Sequence, residues 1–208
     1  LHRPALLNWF ADLLGEPPRR VAGGDLLRPQ PHVGPFAYMT RLYDPLAAGD
    51  LNGWLSGANC SRNDYTRFLE TAANGLRFVG LNLYGVIHSM DRSVGPGAGQ
   101  PISIDYGNLI GRPAGMDEGQ MVIGGAVGWS SRGVFIIDDV GRIRLTHHAD
   151  AHDIAAEWDS LEAMLKAETT RIASLLDLTG EPLSTHTALM HPGGRRWETK
   201  AEPLTAVH

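Results

Sequence analysis

The hydrophobic period of this chain changes twice, from helical to strand-like and back, and that order restricts the fold more than any other feature of the sequence. Tyr65, Phe68, Leu69 and Ala72 fall three and four residues apart, the spacing of one helical face, and Asn74-Gly75 supplies a left-handed stop. Phe78 to Ile87 is then rich in β-formers and too interrupted by glycine for a helix. Met121 to Gly124 reads as a strand, and Val134-Phe135-Ile136-Ile137 is continuously apolar, as a strand covered on both faces should be. Asp138-Asp139-Val140-Gly141 has the chemistry of a hairpin connection, and Arg142-Ile143-Arg144-Leu145 alternates like a half-exposed strand. Leu161, Leu165, Ile172, Leu175 and Leu176 restore the helical period as far as Leu178, with Glu168 off-type, before Gly180 and Pro182 end it. Helices, then strands, then a helix predict an α+β fold: a central, mostly antiparallel, twisted β-sheet flanked by helices.

The flanks are less periodic. Leu6, Leu7, Phe10, Leu13 and Leu14 mark an N-terminal helix that Gly15 and Pro17-Pro18 stop. From there to Pro35 the chain is Pro, Gly and Arg, read as a loop or arm with little to bury. A second helix is expected over Tyr38 to Leu46, and a short apolar turn at Trp54-Leu55. Capping boxes are expected at Ser61 with Asp64 and at Asp159 with Glu162. Ser93 to Gly99 reads as a mobile loop, and Ser184 to His208 as a wrapping arm without a period. The expected organisation is residues 1–49 as N-terminal helix and arm, 50–180 as the α+β core, and 181–208 as a C-terminal arm.

Composition bears on function mainly by exclusion. Eighteen Lys and Arg against 23 Asp and Glu leave a net charge of −5, which gives no general attraction to nucleic acid or anionic membrane and suits a basic partner. A single cysteine, Cys60, excludes an internal disulfide framework and any multi-cysteine zinc site. No window approaches the ~18 consecutive apolar residues of a membrane helix. The first twenty residues read as amphipathic helix rather than a secretory signal, so a cytoplasmic location is expected, although a leader could have preceded Leu1.

Candidate chemistry is sparse. His147, His148, Asp150 and His152 are zinc-ligand residue types, but their spacing fits no established site and HExxH does not occur; a solvated strand-to-helix connection is the preferred reading. Cys60 lacks an oxyanion loop or family signature, and Gly95 to Gly99 lacks the strand-to-helix frame of a phosphate loop. GxSxG and GxxxxGK[ST] are absent. No catalytic, cofactor or metal residue is therefore assigned. Asp117, Glu118, Asp138 and Asp139 sit in turn-like segments where an acidic rim for a basic partner could form, and Trp129 is either core or an exposed anchor.

The order of the pieces resembles the SMI1/KNR4, or SUKH, superfamily. Asp64-Tyr65-Thr66-Arg67-Phe68-Leu69 through Asn74-Gly75, then Leu83-Tyr84-Gly85-Val86, are similar to its helix and following strand. Asn108, Val122-Ile123-Gly124, Ile136-Ile137-Asp138, Gly141-Arg142-Ile143 and Trp158-Asp159-Ser160-Leu161-Glu162 follow in the family's order. The likeness covers about residues 50 to 178; the first fifty residues, the tail after Gly180 and Trp129-Ser130-Ser131 depart from it. The resemblance implies a non-catalytic protein-binding module: an immunity protein that neutralises a cognate bacterial toxin, with a regulatory scaffold as the alternative. No cofactor is expected, and a metal enzyme on His147, His148, Asp150 and His152 is the more distant rival that those residues themselves suggest. The partner-binding residues expected on that reading are Asp117, Glu118, Trp129, Asp138 and Asp139.

Overall fold

Nine strands follow one another across a single antiparallel sheet in the order of the chain, as seen in a computed structural model that describes residues 1–27, 40–47, 49–58, 63–78, 80–87, 100–126 and 133–174. They are β1 (Arg19–Val21), β2 (Gly24–Leu26), β3 (Thr40–Tyr43), β4 (Leu76–Phe78), β5 (Leu81–Leu83), β6 (Met121–Ala126), β7 (Gly133–Ile137), β8 (Ile143–His147) and β9 (Asp150–Trp158). Four α-helices accompany them: α1 (Arg3–Leu14), α2 (Asp50–Ala58), α3 (Asp64–Thr71) and α4 (Leu161–Ser174). One turn of π-helix spans Tyr106–Ile110. The class is α+β, as the order of periods predicts.

Register explains how the two faces divide. Leu42, Leu76, Leu83, Gly124, Phe135 and Leu145 are successive cross-strand partners from β3 to β8, so they lie in one row on one face. Phe78 and Phe135 belong to this face; the ring of Phe10 on α1 meets Phe78 at 5.3 Å, and Phe135 meets Trp158 at 6.0 Å. Helix α4 docks beside α1, where the Trp9 indole donates to Thr169 Oγ1 at 3.2 Å and Lys166 lies over the Trp9 ring. Tyr65, Phe68 and Leu69 are buried in the same core as Leu83 and Ile136, and the Tyr65 hydroxyl donates to the Tyr84 carbonyl. Burial pushes the Tyr65 phenol well above its ordinary pKa and that of Tyr84 up to about 12, so both stay neutral donors.

Several sequence expectations are corrected. The Pro/Gly/Arg stretch after α1 holds β1 and β2, and Leu27 is fully buried. Where a helix is expected over Tyr38 to Leu46, Thr40–Tyr43 is instead β3, because Leu42 is drawn into the core row by the strands on either side; Tyr38 and Met39 lie outside the described residues. Residues on both sides of position 50 thus contribute to one sheet. Trp54-Leu55 belongs to a nine-residue helix, α2. Phe78 to Ile87 is not one strand: Leu76–Phe78 and Leu81–Leu83 are antiparallel neighbours, Phe78 opposite Leu81. Both capping boxes shift. Asn63 caps α3, its Oδ1 accepting from Thr66 N at 3.0 Å while Asn63 N donates back to Thr66 Oγ1 at 2.9 Å. Ser160 Oγ accepts from Ala163 N at the start of α4, and Glu162 pairs with Lys166 at 2.7 Å.

Asn74-Gly75 does more than stop a helix. Helix α3 already ends at Thr71, and the Asn74 amide clamps Val86, donating to its carbonyl and accepting from its N–H at 2.8 Å each. Gly75 has φ +97°, and a Cβ there would lie 2.8 Å from the Leu83 carbonyl oxygen, so the turn into β4 requires glycine. Cys60, Ser61, Ser93 to Gly99, Trp129, the helix end at Leu178 and the arm 181–208 lie outside the described residues.

Candidate protein-binding face

Asn108 builds the site. It is buried within the π-helix, and its side-chain amide donates to the carbonyls of Ile104 (2.9 Å) and Val122 (2.8 Å) while accepting from Val122 N–H (2.9 Å). The amide thus substitutes for a strand residue beside β6. Gly107 presses so closely on Val122 that a Cβ would collide with its side chain. At the entrance to the turn, Asp105 accepts from the Trp54 indole of α2 at 2.7 Å and from Ser103 Oγ at 3.1 Å. A short helix pinned in this way turns its other residues outward: Tyr106, Leu109 and Ile110 are 60%, 61% and 78% exposed.

The chain then leads from this helix to two acidic turns. Arg112 donates to the carbonyls of Asp117 (2.7 Å) and Gln120 (3.2 Å), holding the turn that carries exposed Asp117 and Glu118. Asp117 closes the same turn by accepting from Gln120 Nε2 at 2.9 Å. That turn abuts the β7–β8 hairpin: a Cβ on Gly119 would sit 3.5 Å from the Asp139 Cβ. Asp139 is exposed, and its neighbour Val140 is 70% exposed. Tyr106, Leu109, Ile110 and Val140 are four of the five large apolar side chains exposed among the described residues, and the acids Asp117, Glu118 and Asp139 lie on the segments that join them. Past Val140 the face continues into a cleft of about 490 Å³ walled by the start of α3, with Asp64, Arg67 and Glu70 at its rim.

Asp138 does not share this exposure. It is 4% exposed, accepts from the backbone N–H groups of Val140 (3.1 Å) and Arg142 (2.9 Å), and is bridged by the Arg142 guanidinium at 2.9 Å. An aspartate at this position of a hairpin turns inward to satisfy the turn's own donors, so the expectation that all four acids remain available fails for this one. Of the expected partner residues the structure brings Asp117, Glu118 and Asp139 to one edge, puts Asp138 beneath them, and leaves Trp129 outside the described residues. The apolar half of the face was not foreseen. Its signal, Tyr106, Leu109 and Ile110 at three- and four-residue spacing, is the same pattern that a buried helical face produces.

The histidine segment forms the β8–β9 hairpin, with His147 opposite Asp150. The rings of His147 and His148 are 4.5 Å apart, His152 packs on Gly115, and Asp150 Oδ1 accepts from His152 N–H at 2.9 Å. Among the described residues no three His, Cys, Asp or Glu side chains converge in a way that could hold a metal ion. The expected solvated strand-to-helix connection is corrected: Asp150–Trp158 is the long edge strand β9, and its polar residues suit an edge. No described helix is long and apolar enough to cross a membrane. No family model, no curated protein and no solved structure matches this chain.

Proposed function

We propose that this chain is a non-catalytic protein-binding module of SUKH-like organisation, acting in the cytoplasm as an immunity protein that neutralises a cognate toxin by direct contact. One observation carries the binding role: Tyr106, Leu109 and Ile110 stand exposed on a turn pinned by Asn108 and Asp105, and Val140 stands exposed beside Asp139 in a hairpin that meets the turn bearing Asp117 and Glu118. Apolar residues displayed on a pinned turn mark interaction surfaces, because nothing in folding compensates their exposure. Tyrosine there supplies a large contact with little conformational entropy to lose, and the acids steer a basic partner toward it. The family resemblance and the net charge of −5 supply the immunity reading.

The test searches the reading frames beside the gene for a toxin, purifies the product found, and follows its association with and dissociation from this protein by surface plasmon resonance at low and high salt. Tyr106→Ala with Ile110→Asp is expected to speed dissociation by about tenfold or more. Neutralising Asp117, Glu118 and Asp139 is expected to slow association and flatten its salt dependence, as screening over about 8–10 Å requires. Asp138→Asn is expected to lower stability instead. Binding that is unaffected by both sets of changes refutes the assignment of this face. Capture of an endogenous regulator by the same face, with no toxin bound, would favour the scaffold reading.

A further inference from the structure

We draw no further inference here: the strongest candidate, the acidic cleft of about 490 Å³ between the start of α3 and the β7–β8 hairpin, carries nothing, because it continues the face already described, its Asp64 is paired with Arg67 at 3.6 Å, and nothing in the structure shows what fills it.

Discussion

Asn108→Ala tests the support of the binding face and the stability of the core together. The substitution deletes three buried hydrogen bonds, two donated to the carbonyls of Ile104 and Val122 and one accepted from Val122 N–H. At about 1 kcal/mol each, their net worth is about 3 kcal/mol. The Val122 N–H is also left buried without a partner, which adds roughly 1–2 kcal/mol, for a total loss of about 4–5 kcal/mol. Equilibrium unfolding in urea, followed by far-ultraviolet circular dichroism and tryptophan fluorescence, should show the transition moving to lower denaturant at an unchanged slope. Asn108→Asp makes the reasoning sharper. It keeps the acceptor for Val122 N–H but aims a carboxylate at two carbonyls, so burial and repulsion raise the folded-state pKa of the new acid. A raised pKa means that stability is recovered as pH falls toward the ordinary carboxylate range and is lost as pH rises through the folded value. A loss under about 1 kcal/mol for Asn108→Ala, or an aspartate variant with no recovery on acidification, would refute this account of how the π-helix is held.

Phe68→Ala should cost about 3–5 kcal/mol in the same titration, since the ring is buried and stacks on Tyr65 with centroids 5.7 Å apart; a loss below about 1 kcal/mol would contradict the packing of α3. Glu168 is buried in α4, and burial raises its carboxyl pKa against the opposing pull of Arg171, which bonds it at 2.8 and 3.1 Å. Because the folded-state pKa lies above the ordinary value, its contribution to stability is greatest below that ordinary value and falls as pH rises through the folded pKa. Glu168→Gln should therefore flatten the pH dependence of the urea midpoint above the ordinary carboxylate value, and an unchanged profile would count against the shift.

Local signals were legible and borrowed ones were not. Helix α3 and the β7–β8 hairpin could be read from the residues because a helical stripe, an apolar run and an aspartate turn each specify their conformation within about ten residues. Strands β1 and β2 are three residues each, too short to show a period, and become strands through pairing with β3. Strand β9 looked like a solvated connection because a strand at the end of the sheet tolerates polar residues such as His152, Asp153 and Glu157. The caps moved by one or two positions because Ser61, Asn63, Asp159 and Ser160 are all competent caps, and only the entry angle of the chain selects among them. Three of the four acids read as a rim do come to one edge, because turn residues stay outside. Which turns meet is set by tertiary packing, and the exposure of Tyr106, Leu109 and Ile110 depends on the Asn108 amide reaching a strand fourteen residues away.

The meander order of the nine strands has a consequence for synthesis. Among the described strands none is inserted between two earlier ones, so each can join a growing edge in the order of the chain, without waiting for a later one of them to wedge the sheet open. Helix α1 is the exception. It precedes all nine described strands, yet the partners of Trp9, Lys166 and Thr169, lie on α4. The described strands can therefore be laid down one by one while that indole waits, and α4 meets it across a sequence separation of 160 residues, a slow-to-find contact.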